Sequence, residues 1–318
     1  MPLPRLLTTV ALAALPWTVL AADWPTRPVT MVVPAAPGGT TDIAARLLAD
    51  RMSQSLGQTV LVENRAGAGG VIGTGAVARA KPDCHTILMG NIGPLASNYS
   101  LYRELPYGPD AFAPIKNVLL VPNILVVNQD SLLTSVEQLV AQGKGKALTM
   151  ATSGIGQSPH MSTEMFKQRT GIDATLIPHS GAAPAVTALL GGQVDAMIDN
   201  LPSSLPHVQS GRFRALAVTS AERVAELPDV PTMAEAGVPD MVVSAWFGLV
   251  APAGTPQPVI DRLYDAASGA LKEPQVRERI AALGAIPGGE PPAEYGAFIQ
   301  RERETWRKIV EAAGMPKQ

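Results

Sequence analysis

The property that most limits what this chain can become is alternation. Short apolar runs of strand length recur, each followed by a stretch of helical periodicity, until the pattern stops near residue 250. The strand-like runs lie at 29–33, 59–62, 86–89, 124–127, 147–151, 175–177, 195–198 and 215–218, and around Trp246 in 242–250. Between them, 42–56 reads as a helix with Ile43, Leu47, Leu48, Met52 and Leu56 on one face, and further helices lie at 70–79, 135–142, 159–169 and 183–190. Three helices, 256–271, 275–283 and 292–313, then close the chain, each opening at or beside a proline. Strands that alternate with helices build an α/β fold, here with mixed, mostly parallel sheets. Roughly ten short strands exceed one mean sheet of about 5–6, so two lobes are expected. The closing helices have no strand of their own and need the first sheet to pack on. That makes the first lobe discontinuous, 22–122 plus 247–318, with 123–246 as the second lobe and crossings near 120–124 and 243–247.

Composition excludes several functions. Hydrophobic residues make up 46% of the 318 and charged residues 16%, which supplies a core and argues against a disordered chain. With 25 basic against 27 acidic residues, a net charge of −2, the chain lacks the basic excess that nucleic acid or an anionic membrane surface demands. Any anion it binds has to be held locally, by backbone or by single side chains. The lone cysteine, Cys84, excludes an intramolecular disulfide framework and multi-cysteine metal sites. His85, His160, His179 and His207 show no metal-ligand spacing, and no metal or cofactor is expected. Residues 1–21 read as a cleaved secretory signal peptide: Arg5, an uncharged apolar run over 6–20, then Ala21 at the cleavage position. The expected product is an exported, soluble monomer, periplasmic in a bacterium.

In open α/β sheets ligands bind beyond the carboxyl ends of strands, so the residues after each strand carry the chemistry. After 29–33 come Pro34, Ala35, Ala36, Pro37, Gly38, Gly39, Thr40, Thr41 and Asp42. The two glycines let backbone N–H groups approach a ligand, and a helix start offers free donors and partial positive charge to an anion. An ordinary turn, with Thr40, Thr41 or Asp42 as cap, fits the same residues. After 147–151 come Ser153, Gly154, Ser158, Pro159 and His160, where Ser158 suits an N-cap and Pro159 the first helical position. A nucleophilic serine is another reading there, although no G-x-S-x-G elbow is present. Pro178, His179, Ser180 and Gly181 open the next helix, Asp199 and Asn200 follow 195–198, and Gly90 and Asn91 follow 86–89. Asp42 and Asp199 are also candidates for an acid–base pair. Small, hydrogen-bonding, mostly uncharged groups thus recur at strand ends in both lobes, which describes a cleft that grips a small anion. The glycine-rich 63–73 follows a strand and opens a helix as a dinucleotide fingerprint would. Its spacing is loose, and 86–89 ends in Gly90-Asn91 where a ribose-binding acid would stand. Close helix packing or a structural turn accounts for its glycines.

Taken in order, the segments resemble one family. They are Trp24-Pro25-x-Arg27-Pro28-Val29, VVPAAPGGTTD at 32–42 with Ala44 and Arg46, ENRAGAGGVIG at 63–73, KPD-x-x-T at 81–86 and SG-x-G-x-S-x-H at 153–160. GGQVDAM at 191–197, LPDVPTMAEAG at 227–237, WFGLVAPAGTP at 246–256 and the late Trp306 complete the set. Together they resemble the periplasmic solute-binding receptors of tripartite tricarboxylate transporters, the Bug-type proteins, over nearly the whole mature chain. The resemblance implies a two-lobed, type II-like Venus-flytrap fold with the ligand between lobes. It implies a small carboxylate ligand (a di- or tricarboxylate, an acidic amino acid or an aromatic acid) held by backbone amides, hydroxyls and ordered water, and a membrane permease as partner. Carried onto this sequence, the first-lobe contacts are Pro34, Ala35, Ala36, Gly38, Gly39, Thr40 and Asp42, with Gly90 and Asn91. Those of the second lobe are Ser153, Gly154, Ser158, His160, Pro178, His179, Ser180, Gly181 and Asp199. Three departures bear on which acid is taken. Ala35 stands where the family has an aromatic, Asp83-Cys84-His85-Thr86 replaces its Asp-Gly-Tyr/Phe-Thr turn, and Pro178-His179-Ser180-Gly181 replaces its Pro-Tyr-x-Gly loop.

Other classes share these features. An exported hydrolase would use Ser153 or Ser158 with His160, and a ligand sensor would bind the acid without a permease. Transcription regulators use similar bilobal effector domains, but no helix-turn-helix precedes residue 29 here.

Overall fold

The computed structural model describes residues 24–318, and the signal peptide expected over 1–21 lies outside the described residues. Strands β1 (Val29–Val33), β2 (Val60–Asn64) and β3 (Thr86–Asn91) pair in parallel in the order β2–β1–β3. Helices α1 (Thr40–Leu56) and α2 (Val71–Ala78) make the crossovers, and α3 (Asn98–Leu101) is a single turn. α1 stops at Gly57, whose left-handed φ of 69° lets its N–H close on Ser53 O. β4 (Phe112–Asn128) is 17 residues long and joins the two halves of the molecule. Its first part pairs antiparallel with β9 (Ser244–Pro252), which also pairs antiparallel with β3. At Pro122 and Asn123 it changes partners: Pro122 faces Ser244 of β9, and Asn123 faces Asn200 of β7 (Ala196–Asn200).

Beyond that point β4 pairs antiparallel with β7 and with β8 (Phe213–Val218), while β5 (Leu148–Thr152) pairs in parallel with β7 and β6 (Ala174–Pro178). The strand order is β2-β1-β3-β9-β4-β7-β5-β6. Helices α4 (Val136–Gly145), α5 (Ser158–Thr170), α6 (Ala182–Leu190) and α7 (Leu201–Gln209) serve the second sheet. The helices α8 (Gln257–Lys272), α9 (Pro274–Ala282) and α10 (Pro292–Ala312) return to the first.

Each sheet is covered on both faces, which is why its strands read as continuous apolar runs. On the first sheet Met31 and Ile87 pack under Leu48 and Met52 of α1 and Leu263 of α8, while their neighbours Val32 and Leu88 face Trp246, Tyr295 and Trp306 on the other side. On the second, Leu125, Met150 and Ile198 meet Leu139 and Phe166, and Ile124, Ala151 and Met197 meet Val186, Leu189, Leu201 and Leu205. The result is a two-domain α/β fold with mixed sheets, and we refer to the bodies around the two sheets as the first and second lobes.

Four details differ from the sequence reading. Parallel pairing does not dominate: β4 and β9 pair antiparallel with every neighbour, so parallel pairs are confined to the outer strands. β4 begins twelve residues before the 124–127 run, because Pro114, Lys116 and Asn117 interrupt the apolar pattern and two register shifts absorb them. Lys116 is buried there, with Nζ donating to Gly289 O at 3.1 Å and lying 5.1 Å from the Tyr264 ring centre. α7 forms despite Pro202 and Pro206: the first sits in the opening turn, where no N–H is required, and buried Leu201 and Leu205 anchor the helix. A short strand after residue 250 also exists, β10 (Ile286–Pro287), antiparallel to β4.

Candidate functional site

The rim of the first lobe is the loop from β1 to α1. Gly39 is the N-cap of α1 and has no side chain to cap it, so the helix's first N–H groups keep no partner within the helix. The loop is fixed by Asp42 in the first turn. Its Oδ2 accepts from Gly38 N at 3.0 Å and from Arg46 Nε at 2.9 Å, and its Oδ1 accepts from Asn64 Nδ2 at 2.9 Å. Gly38 sits at φ 83°, a conformation that suits glycine and turns its N–H back to this carboxylate. Burial works to raise the Asp42 pKa, but the hydrogen bonds from Arg46, Gly38 and Asn64 outweigh it and hold the carboxyl below its usual range. Asn64 Nδ2 also donates to Ala35 O at 3.1 Å, and Asn91 Nδ2 donates to Thr41 Oγ1 at 3.0 Å.

The rim of the second lobe is made by the starts of α5, α6 and α7. Their N-caps are Gln157, Gly181 and Asn200, and none makes a side-chain cap. Ser158, which the sequence offers as an N-cap, is instead the first helical residue. Its Oγ lies 3.1 Å from Asn123 Oδ1 and 2.7 Å from Asn200 Oδ1. Asp199 is fully buried at the end of β7, with Oδ2 accepting from Ser203 Oγ at 2.8 Å and Ser204 Oγ at 2.7 Å. Its Oδ1 is buried without a protein partner. Burial raises the carboxyl to about 6, against the two serine hydrogen bonds. Burial also pushes the His160 imidazole down to about 4, and its Nδ1 accepts from Gly156 N at 3.4 Å. A neutral ring with Nδ1 accepting carries its proton on Nε2.

The two rims touch. Ala36 N donates to Ser180 O at 3.1 Å, Thr40 Oγ1 lies 3.2 Å from Ser203 Oγ, and Gln157 Nε2 donates to Gly69 O at 2.9 Å. Ser97 Oγ donates to Gly156 O at 2.5 Å. Small residues permit this approach: a Cβ on Gly39 would stand 3.2 Å from Ala182 Cβ, and one on Gly181 would stand 2.9 Å from Ala36 Cβ. The gap between Asn91, Gln157, Ser158, Asn200 and Phe247 is too narrow to admit a water molecule. The N-termini of α1, α5, α6 and α7 therefore gather at one place. Of the charged groups there, Arg46 is engaged by Asp42 and Asn64, and both aspartates are engaged by their own neighbours. An anion at this junction meets backbone N–H groups and hydroxyls in place of a counter-ion. A larger hollow between β9 and α10, lined by Trp246, Phe298 and Trp306, holds no helix start.

Of the residues singled out from sequence, the geometry gathers Ala36, Gly38, Gly39, Thr40, Ser180 and Gly181 where the rims meet, and Ser158 and Asn91 at the floor. Pro34 is buried behind the loop, and Ala35 packs partly on the first core. Gly90 lies within β3, opposite Gly248 of β9. Pro178 ends β6, and His179 is anchored through its N–H to Thr152 O at 2.9 Å. Ser153 is half-buried after β5, and Gly154 faces His179 O. Asp42 and Asp199 do not hydrogen-bond to each other, and Ser158 and His160 have separate partners, so neither the acid–base pair nor the serine–histidine pair is assembled. Gln157, Asn123 and Ser203 are not among the residues singled out from sequence, and Asn200 is there only as the neighbour of Asp199. Gln157 and Asn200 stand directly before helices that follow strands, and that position was the available signal. Cys84 is buried against Thr255, and burial raises its thiol to about 11.

Residues 44–315 match the model of the tripartite tricarboxylate transporter family receptor. The chain is 42% identical to Protein BugT of Bordetella pertussis over 309 residues, 96% of this chain and 95% of that one. The structure of periplasmic binding protein BugD aligns with a TM-score of 0.89 at 40% identity, covering 93% of this chain and 100% of the other. An R. palustris protein solved with adipate aligns with a TM-score of 0.90 at 38% identity and the same coverage.

Proposed function

The chain belongs to the family of tripartite tricarboxylate transporter receptors, and on that premise we propose that it captures a small carboxylate between its lobes and hands it to a membrane permease. As a periplasmic solute-binding receptor it binds and delivers a ligand without transforming it. In our reading the lobes comprise 22–122 plus 247–318 and 123–246, and residues 1–21 are removed on export. The observation that carries the ligand class is the convergence of four helix N-termini without a side-chain cap, two lobes contributing, with no unengaged basic side chain among them. Such a junction stabilises a carboxylate through oriented N–H dipoles and rejects a cation. The relative solved with adipate supports a carboxylate of similar size here.

In this reading the structure corresponds to the closed state. A ligand enters when the lobes part, displaces the contacts of Ala36 with Ser180 and Thr40 with Ser203, and is enclosed as they return by hinge motion. The carboxylate takes the N–H groups at the starts of α1 and α6, and Ser158 and Asn91 bind its remaining polar groups. The test is thermal unfolding of residues 22–318 against succinate, malate, citrate, adipate, glutamate and benzoate, with their neutral amides as controls. Ligand at about 100 times its dissociation constant adds about 2.7 kcal/mol. A shift with one acid class, and recovery of that acid unchanged, is the expected result. No shift with any acid, in protein refolded to remove carried ligand, would rule out the carboxylate reading.

A further inference from the structure

The two chain crossings between the lobes meet at one buried hydroxyl. Thr219, the residue after β8, and Asn123 are both fully buried. Asn123 N donates to Thr219 Oγ1 at 2.8 Å, and Thr219 Oγ1 donates to Val243 O at 2.6 Å. Thr219 N donates to Asn123 O at 2.9 Å, and Val243 N donates to Thr219 O at 3.0 Å. Asn123 is where β4 leaves β9 for β7, and Val243 immediately precedes β9. From this knot the Asn123 side chain reaches α5: Nδ2 donates to Ser162 Oγ at 2.6 Å, and Oδ1 lies 3.1 Å from Ser158 Oγ. Ser158 Oγ lies 2.7 Å from Asn200 Oδ1 as well. A hydroxyl carries one proton, so Ser158 donates to one of these two carbonyl oxygens at a time.

We infer that Asn123 and Thr219 are positioning residues that couple occupancy of the cleft to the hinge. The inference rests on the proposed reading, in which Ser158 at the start of α5 binds a polar group of the ligand. A ligand group that accepts the Ser158 proton keeps it from both Asn123 and Asn200, which otherwise share it. Asn123 Oδ1, a buried acceptor, must then find another donor or remain unpaired at a cost. The amide that must re-pair belongs to the residue whose backbone N–H holds Thr219, and the Thr219 hydroxyl holds the second crossing. Two hydrogen-bond patterns at Asn123 thus provide the two-state element that a ligand can bias. The hydroxyl at 219 is the specific requirement. Valine fills the same space but leaves Asn123 N and Val243 O without that partner, whereas serine keeps both bonds.

The test uses no ligand, so it separates from the carboxylate reading, which can fail alone. Spin labels at Leu61→Cys and Thr175→Cys sit on β2 and β6, the outermost strands of the order, at exposed positions; Cys84 is buried and stays unlabelled. Pulsed electron resonance then reads the interlobe distance distribution. Thr219→Val is expected to move the ratio of open to closed populations by about threefold or more, and Thr219→Ser to restore it. Ser158→Ala, which touches no hinge backbone, is expected to move the ratio in the same direction, and the double variant to match Thr219→Val alone, because coupled residues are non-additive. A lower melting temperature with unchanged distances in Thr219→Val would reduce Thr219 to a structural contact and overturn the proposal. So would failure of serine to rescue, or additive shifts in the double variant. Should Thr219→Val not fold, Ser158→Ala decides: an unchanged ratio there overturns the coupling.

Discussion

The two rims solve the same problem by opposite means. Each has to leave helix N–H groups open to a ligand while fixing the loop that presents them, and each places an aspartate behind its loop. In the first lobe Asp42 is tied by Arg46, by Asn64 and by a backbone N–H, and these donors hold it below the usual carboxylate range against its burial. In the second lobe Asp199 has two serine hydroxyls and the Asn200 backbone N–H but no cation, is fully buried, and is raised to about 6. The difference teaches that burial alone does not set the charge of a structural carboxylate. Depth and donors set it together: the Arg46 guanidinium and two N–H donors outweigh the milder desolvation of Asp42, while the deeper desolvation of Asp199 exceeds what its uncharged donors return.

The largest test of this comparison asks whether both rims are needed. Gly39→Val in the first lobe and Gly181→Val in the second each place bulk against the facing loop, 3.2 Å from Ala182 Cβ and 2.9 Å from Ala36 Cβ already at the Cβ position. Both should leave the circular dichroism spectrum intact and weaken binding by about a thousandfold or more, about 4 kcal/mol, by calorimetry with the acid the panel identifies. Wild-type affinity in either variant would remove that rim from the site.

The next effect is pH dependence. Asp199 is raised from 3.8 to about 6 in the folded state, so the folded protein binds the extra proton. Its contribution to stability therefore falls as pH rises from about 4 to about 6, by about 3 kcal/mol. His160 is lowered from 6.5 to about 4, so the unfolded chain binds the extra proton, and stability rises over about pH 4 to 6.5 by a similar amount. The two slopes oppose each other in the wild type. Asp199→Asn should expose the rising slope and His160→Gln the falling one, in denaturant titrations at steps of pH. Identical pH profiles in both variants would show that neither group titrates as its burial requires.

Smaller effects sharpen the contrast. Asp42→Asn should cost about 1–3 kcal/mol at neutral pH, read from denaturant midpoints. Because the Asp42 pKa is depressed, that loss should shrink as pH falls below the 3.8 of an ordinary aspartate. Ser204→Ala should cost only about 1 kcal/mol and should raise the Asp199 pKa further by removing a donor.

Much of the fold was legible because its signals are local. The short apolar runs at Val29–Val33 and 195–198 and the amphipathic stretch at α1 announce themselves within a few residues. β4 was half hidden, since Lys116 and Asn117 look like surface residues until Gly289 and Tyr264 are brought beside Lys116. α7 was hidden because proline is read as a breaker unless one knows that Leu201 and Leu205 have a core to enter. The candidate rims were legible as glycine-bearing and hydroxyl-bearing loops after strands. Their wiring was not: Ser158 had every local mark of an N-cap, and only the fold shows its hydroxyl between Asn123 and Asn200.

By itself the sequence determined the α/β layering, the strand ends that carry polar loops, and the absence of any charge excess to hold an anion at long range. These are properties of residue type and spacing along one stretch of chain. Tertiary structure alone decided that four helix starts meet, that Thr40 reaches Ser203 across 163 residues of separation, and that one threonine hydroxyl joins both crossings. It also decided the opposite titration of two aspartates in similar loops. A hydrogen bond or a desolvation depends on what lies within a few ångströms, and neighbours that distant in sequence leave no periodic trace in it.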